Sequence, residues 1–148
     1  LLVLQLLQST ANAEFNTTLF RAHILNYQNY MRWLHDAPPV VEDQELADSA
    51  LEWGIHLANN PSERCLHHNQ AGGQNIYFAW QAKEMSEYEL AHAAMKAFYE
   101  EIKLYDYSNP NFYLPAAHFT NLVWKSVKKI GIAHFKRNVL PPKEVYNL

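Results

Sequence analysis

From Asn16 onward, Phe20, Ile24, Tyr27, Met31 and Leu34 recur three and four residues apart, the spacing that lines one face of a helix. Asp36-Ala37-Pro38-Pro39 closes that helix, because proline lacks a donor and disfavours helical geometry in the residue before it. A second helix is predicted from about Asp43 to Ala58, with Leu46, Ala50, Trp53 and Leu57 on one stripe and a stop at Asn59-Asn60-Pro61. Gly72-Gly73 then breaks the chain before Gln74-Asn75-Ile76-Tyr77-Phe78-Ala79, an aromatic and β-branched run that reads as a strand. Ser86-x-x-Glu89 has the capping-box pattern and predicts a third helix to about Tyr105, with Leu90, Ala94, Ala97 and Phe98 as its stripe. After a loop over Asp106 to Pro115 come a short helix around His118 to Trp124 and a second strand over Lys129 to Phe135. Helices, strand, two helices and strand in that order predict an α+β fold rather than alternating βαβ units.

The 148 residues, 49% apolar and 18% charged, are the size and composition of one globular domain. Twelve basic against fifteen acidic side chains leave a net charge of −3, so no overall basic field draws in nucleic acid. Lys125, Lys128, Lys129, Lys136 and Arg137 form the one basic cluster; it reads as a solvated strand edge and turn, with an anionic-lipid patch as the other reading. Cys65 is the sole cysteine, which excludes an intrachain disulfide and reads as a small buried hydrophobe. Residues 1–13 stand apart. Leu1 to Leu7 followed by Ala11-Asn12-Ala13 has the look of a signal-peptide apolar region and cleavage site, and is too short to span a bilayer. Residues 14–148 are then a single domain, opening on an Asn16-Thr17-Thr18 sequon that a helix start explains equally well.

Three groups carry candidate chemistry. Glu101 follows Leu90, Ala94 and Ala97 at helical spacing, which turns its carboxylate towards the protein, where it needs a cation, donors or a metal. His118 precedes Leu122 by one turn and lies beside Phe119 in an apolar run, so it points inward or into a cleft. His68 lies in the loop before Gly72-Gly73. No serine occurs in a G-x-S-x-G setting and Cys65 has no evident base, so nucleophilic catalysis has no support. His23, His35, His56, His92 and His134 read as structural or exposed.

Ala117-His118-Phe119-Thr120-Asn121-Leu122-Val123-Trp124 resembles G-H-F-T-Q-x-V-W, the signature of the CAP superfamily of cysteine-rich secretory, antigen 5 and pathogenesis-related proteins. The resemblance runs from about Phe15 to Lys143. Ala22-His23 with Tyr27 resembles its A-H-N-x-x-R pattern, and Ala37-Pro38-Pro39-Val40 with Leu46-Ala47-x-x-Ala50-x-x-Trp53 its next segment. His68-Asn69 with Gly73-Gln74-Asn75-Ile76 resembles H-S…G-E-N-[LI], and Phe98-Tyr99-Glu100-Glu101-Ile102 resembles W-Y-x-E-I. The tail Asn138 to Lys143 is similar to that of the Golgi-associated plant pathogenesis-related branch. One segment departs from the pattern: family members place a further strand before that tail, and here Phe135 is followed almost at once by Arg137-Asn138-Val139.

The resemblance implies a three-layer α-β-α sandwich with a small antiparallel sheet. It implies a central cavity lined by His68, Gln74, Glu101 and His118, in which His68 and His118 hold a divalent ion such as zinc. Gln74 stands where relatives carry a second glutamate, which removes a possible general base and keeps a hydrogen-bonding group. It further implies a lipid- or sterol-binding, membrane-facing loop of Tyr105, Tyr107, Pro110, Phe112 and Tyr113, whose aromatics otherwise simply cap the sheet. The favoured reading is a non-catalytic domain that binds lipid or sterol and engages membranes or protein partners. A metal-dependent hydrolase centred on His68, Glu101 and His118, and a self-associating module that forms a homodimer, are the alternatives. Placement in the secretory pathway or outside the cell follows from the N-terminus; the cytosolic face of the Golgi membrane is the alternative that the branch implies.

Overall fold

Asn16 starts the first helix with its own side chain, its Oδ1 accepting the Leu19 N–H at 3.0 Å, so the sequon residue serves as an N-cap. A computed structural model of the chain describes residues 14–59, 67–69, 73–79 and 85–135. The readings made of residues 1–13, Cys65, Lys136, Arg137 and the tail lie outside them. The elements run α1 (Thr17–Leu34), β1 (Val41–Glu42), α2 (Gln44–Asn59), α3 (Glu87–Glu100), 3₁₀ turns at Glu101–Leu104 and Leu114–Ala116, α4 (Ala117–Val123) and β2 (Lys129–Ile130). Helix and strand are thus mixed as the α+β reading requires.

α1 and α3 pack against each other and against α4. Phe20, Ile24 and Met31 from α1 meet Ala91, Ala94 and Met95 from α3, with Leu122 and Ile132 closing the cluster. One position of each of two predicted stripes is corrected here. On α3 Ala97 is exposed, while Ala94 is buried and Leu90 and Phe98 pack against the core beside Ala91 and Met95. On α2 Leu46 is exposed and its neighbour Ala47 is buried, with Ala50, Trp53 and Leu57 half-buried. Ser86 and Glu89 make both halves of the capping box, at 3.3 Å and 2.9 Å. The α-helix they start ends at Glu100, and the predicted remainder to Tyr105 is a tighter 3₁₀ turn.

The C-terminus of α1 is built around two polar side chains that the apolar pattern passes over. Arg32 is fully buried and donates to four carbonyls: Pro38 at 2.6 Å, Leu122 at 3.0 Å, Trp124 at 3.1 Å and Val127 at 3.1 Å. Leu122 lies in the last turn of α4, where carbonyls have no helical partner, so the guanidinium also meets the negative end of that helix. Burial lowers the Arg32 pKa, yet a guanidinium stays charged. Asn29 pairs with Val40 in both directions, at 3.0 Å and 2.8 Å, much as a strand neighbour does. His23 packs edge-on against Tyr88. Asp36 takes a left-handed φ of 51°, which a short polar side chain tolerates, and turns the chain into Ala37-Pro38-Pro39.

β1 pairs with β2 in parallel, Val41 opposite Lys129 and Glu42 opposite Ile130, which corrects the antiparallel sheet that the resemblance implied for the described strands. Strands this far apart in sequence have no hairpin to reverse them, and the intervening helices supply the crossover that a parallel pair needs. The pairing is flanked by an ion pair from Lys129 to Asp43 at 2.7 Å. It holds the Asp43 carboxyl below its ordinary range and pushes the Lys129 ammonium above its own. The predicted strand over Gln74–Ala79 pairs with no other strand among the described residues. Beyond β2, Gly131 passes so close to α2 that a Cβ there would collide with the backbone of Leu46 and Ala47. Gly131→Ala is accordingly expected to destabilise the fold by about 2–3 kcal/mol, at the upper end of overpacking costs because backbone on both sides must move. A urea midpoint within about 0.5 kcal/mol of wild type would contradict that close approach.

Candidate functional site

The 3₁₀ turn after α3 aims Glu101 at the start of α4, a helix whose N-cap position, Ala116, has no side chain to offer. Glu101 takes over that task. One carboxylate oxygen accepts the backbone N–H of His118 at 2.9 Å and of Phe119 at 3.3 Å. The other lies 2.6 Å from His118 Nδ1. An ionised carboxylate only accepts, so Nδ1 carries the proton in this pair. The ring is further fixed by stacking on Phe98, centroids 5.0 Å apart.

His68 is approached from the other side of the site. Its Nδ1 lies 3.1 Å from Gln74 Oε1, which also accepts the Asn69 N–H at 3.2 Å. Trp53 on α2 donates its indole N–H to the His67 carbonyl at 3.0 Å and meets the His67 ring edge-on, which places this loop. Asn75 donates to the His118 carbonyl at 3.0 Å and accepts from Asn121 at 3.0 Å. The extended stretch predicted as a strand is thus joined to α4 by side chains instead of a ladder. The His68 and His118 ring centroids are 6.4 Å apart. The structure therefore brings His68, Gln74, Glu101 and His118 together as two hydrogen-bonded pairs, each with its Nδ1 engaged.

The site faces solvent more than an enclosed hollow would. His68 is exposed, and the His118 and Glu101 side chains retain 32% and 22% of their accessible surface. Among the described residues no three His, Cys, Asp or Glu side chains gather to ligate one ion. A closed structural zinc site normally takes four protein ligands, so two imidazoles alone make an open site at most. Trp53, Asn75, Phe98 and Asn121 shape the site without having been singled out for it. The signal for Asn75 and Asn121 was their place beside Gln74 and His118 in the matched motifs.

The loop from Tyr105 to Tyr113 is split in two. Tyr105 packs on the buried Phe119 ring of α4 at 5.7 Å and against Tyr107 at 4.9 Å. Asp106 accepts the Ser108 N–H at 2.9 Å and its hydroxyl at 2.6 Å; these bonds hold the Asp106 carboxyl below its ordinary range and fix the turn. Beyond that turn Phe112 and Leu114 are each 74% exposed, with Pro110 and Tyr113 exposed beside them.

A family profile, that of the cysteine-rich secretory protein family, matches residues 25–138. The chain is 28% identical to human "Golgi-associated plant pathogenesis-related protein 1", over 91% of this chain and 98% of that relative. The match runs to 165 positions, longer than the chain itself, so the relative carries residues with no counterpart here. The chain is 27% identical to Candida albicans "Repressed by EFG1 protein 1" and 32% identical to Mus musculus "Glioma pathogenesis-related protein 1". These matches cover 84% and 70% of this chain but only 41% and 37% of the relatives. With more than three quarters of its length inside the profile, the chain belongs to the cysteine-rich secretory protein (CAP) family.

Proposed function

We propose that this chain is a non-catalytic lipid- or sterol-binding CAP domain that engages membranes through the Tyr105–Tyr113 loop. The observation that carries the reading is the exposure of Phe112, Tyr113 and Leu114 on the segment that follows the turn fixed by Asp106 and Ser108. Exposed aromatic area held in place binds an apolar ligand or a bilayer interface at little ordering cost. Glu101 supports the non-catalytic reading. Its two oxygens are committed to two backbone amides and the His118 ring, and Gln74 is an amide, so among the described residues the tetrad offers no unengaged carboxylate as a general base.

His68 and His118 would present Nε2 to a divalent cation such as zinc, with Gln74 and Glu101 as the partners that orient the two rings. The cation would supply charge to the site and leave coordination positions to water. Family membership favours a three-layer α-β-α sandwich for the whole domain. A place in the secretory pathway fits the family and its relatives' names; no helix among the described residues is long and apolar enough to cross a membrane.

Flotation of the full chain with neutral phosphatidylcholine vesicles, with and without sterol, tests the reading. Retention by the sterol vesicles is expected, and a Phe112→Ala, Tyr113→Ala variant should bind about tenfold more weakly or worse, since each ring contributes on the order of 1 kcal/mol of apolar transfer. Equal behaviour of wild type and variant would overturn it.

A further inference from the structure

The basic residues of the α4–β2 connection gain neighbours that the linear sequence does not show. Arg32 bonds to the carbonyls of Trp124 and Val127, and the Val41 N–H donates to the Lys128 carbonyl at 3.1 Å. These bonds bring the last turn of α1, the 124–128 connection and β1 to the same end of the fold. There Trp33 is 71% exposed and Trp124 54%. Tyr30 stacks on Trp33 at 6.1 Å and is itself exposed. Lys125 and Lys128 are exposed too, and Lys128 donates to the Lys125 carbonyl, not to a carboxylate.

Isolated exposed tryptophan is costly in water and common at bilayer interfaces, where the ring sits among headgroups and the N–H stays wet. Lysines beside it add attraction to anionic lipid. Two acids of β1 and its flank are already paired. Glu42 is paired with Arg21 and Asp43 with Lys129; Asp36 is the one exposed carboxylate in the turn itself. We infer that the end of the fold carrying Trp33, Trp124, Lys125 and Lys128 is a docking surface for an anionic bilayer, separate from the Tyr105–Tyr113 loop. Its net local charge is positive on a chain whose total is −3, so the surface orients the molecule as well as attracting it. The two tryptophans enter the headgroup layer and the two ammonium groups meet lipid phosphate or carboxylate.

The test uses sterol-free vesicles of phosphatidylcholine, alone and with phosphatidylserine, and follows co-sedimentation together with tryptophan emission. Binding is expected only with phosphatidylserine, with a blue shift in emission and a loss of binding as salt is raised. At about 1 kcal/mol per lysine near such a surface, Lys125→Gln with Lys128→Gln should weaken partitioning roughly thirtyfold. Trp33→Phe with Trp124→Phe should abolish the blue shift and weaken binding, and both variants are checked for an unchanged melting midpoint. Equal partitioning to neutral vesicles, an unaffected lysine variant, or salt-sensitive capture by an acidic protein without vesicle binding would each overturn the inference. Sterol in neutral vesicles probes the loop and phosphatidylserine without sterol probes this surface, so either reading can fail alone.

Discussion

Arg32→Met is expected to remove roughly 3–5 kcal/mol of stability, at about 1 kcal/mol or more for each bond lost: the Pro38 and Val127 carbonyls lose the guanidinium, and the Leu122 and Trp124 carbonyls keep only their bonds from Gln28 and the Val127 N–H. Methionine is similar in length and satisfies none of them. The carbonyls belong to three different stretches, at Pro38, at Leu122 and Trp124, and at Val127, so the loss should loosen α4 from α1 and disturb the β1–β2 pairing together. Arg32→Lys keeps the charge but not the planar fork, and should recover no more than about half. A single-domain stability is ordinarily about 5–15 kcal/mol, which makes this a large fraction of the total. Urea denaturation measures it; a loss under about 1 kcal/mol would mean that water or a shifted backbone replaces the guanidinium.

Glu101→Ala carries the second large effect, about 2–4 kcal/mol. Two first-turn amides of α4 lose a charged cap and the His118 ring loses the partner of its Nδ1. Glu101→Gln separates charge from geometry. Its amide oxygen can still accept a backbone N–H while its NH₂ cannot accept from Nδ1–H, so it should retain part of the stability and release the ring. Thermal melts give the stability, and loss of nuclear Overhauser contacts between the His118 and Phe98 rings gives the release. If Glu101→Ala unfolded at the wild-type temperature, the carboxylate would not be the cap that the geometry makes it.

Local pattern made α1, α3 and the capping box legible, since helical spacing and a Ser-x-x-Glu pair are written within a few residues of one another. On α2 it put Leu46 inward where Ala47 is the buried residue, because adjacent positions offer similar stripes and the close approach of Gly131 to that backbone comes from 84 residues downstream. Arg32 and Asn29 escaped notice because the apolar pattern passes over charged and amide residues. The parallel pairing of β1 with β2 is non-local and has no hairpin signature. In the site, His118 and Glu101 were legible from their motifs and His68 with Gln74 from theirs. The open setting was not, because solvent exposure depends on what packs above a residue and not on its neighbours in sequence. The exposed Trp33 and Trp124 come to one end of the fold through non-local bonds from Arg32 and Val41, which linear sequence does not show.

The central claim is that Glu101 fixes His118 while Gln74 fixes His68, so that the two rings stand side by side in one site. Long-range proton–nitrogen correlation on uniformly ¹⁵N-labelled protein, joined with ring-to-ring nuclear Overhauser effects, measures this most directly. The account predicts a protonated Nδ1 and an unprotonated Nε2 on neutral His118, with cross-relaxation between the His118 and His68 rings. An Nε2–H tautomer for His118 with no contact to His68 would contradict it.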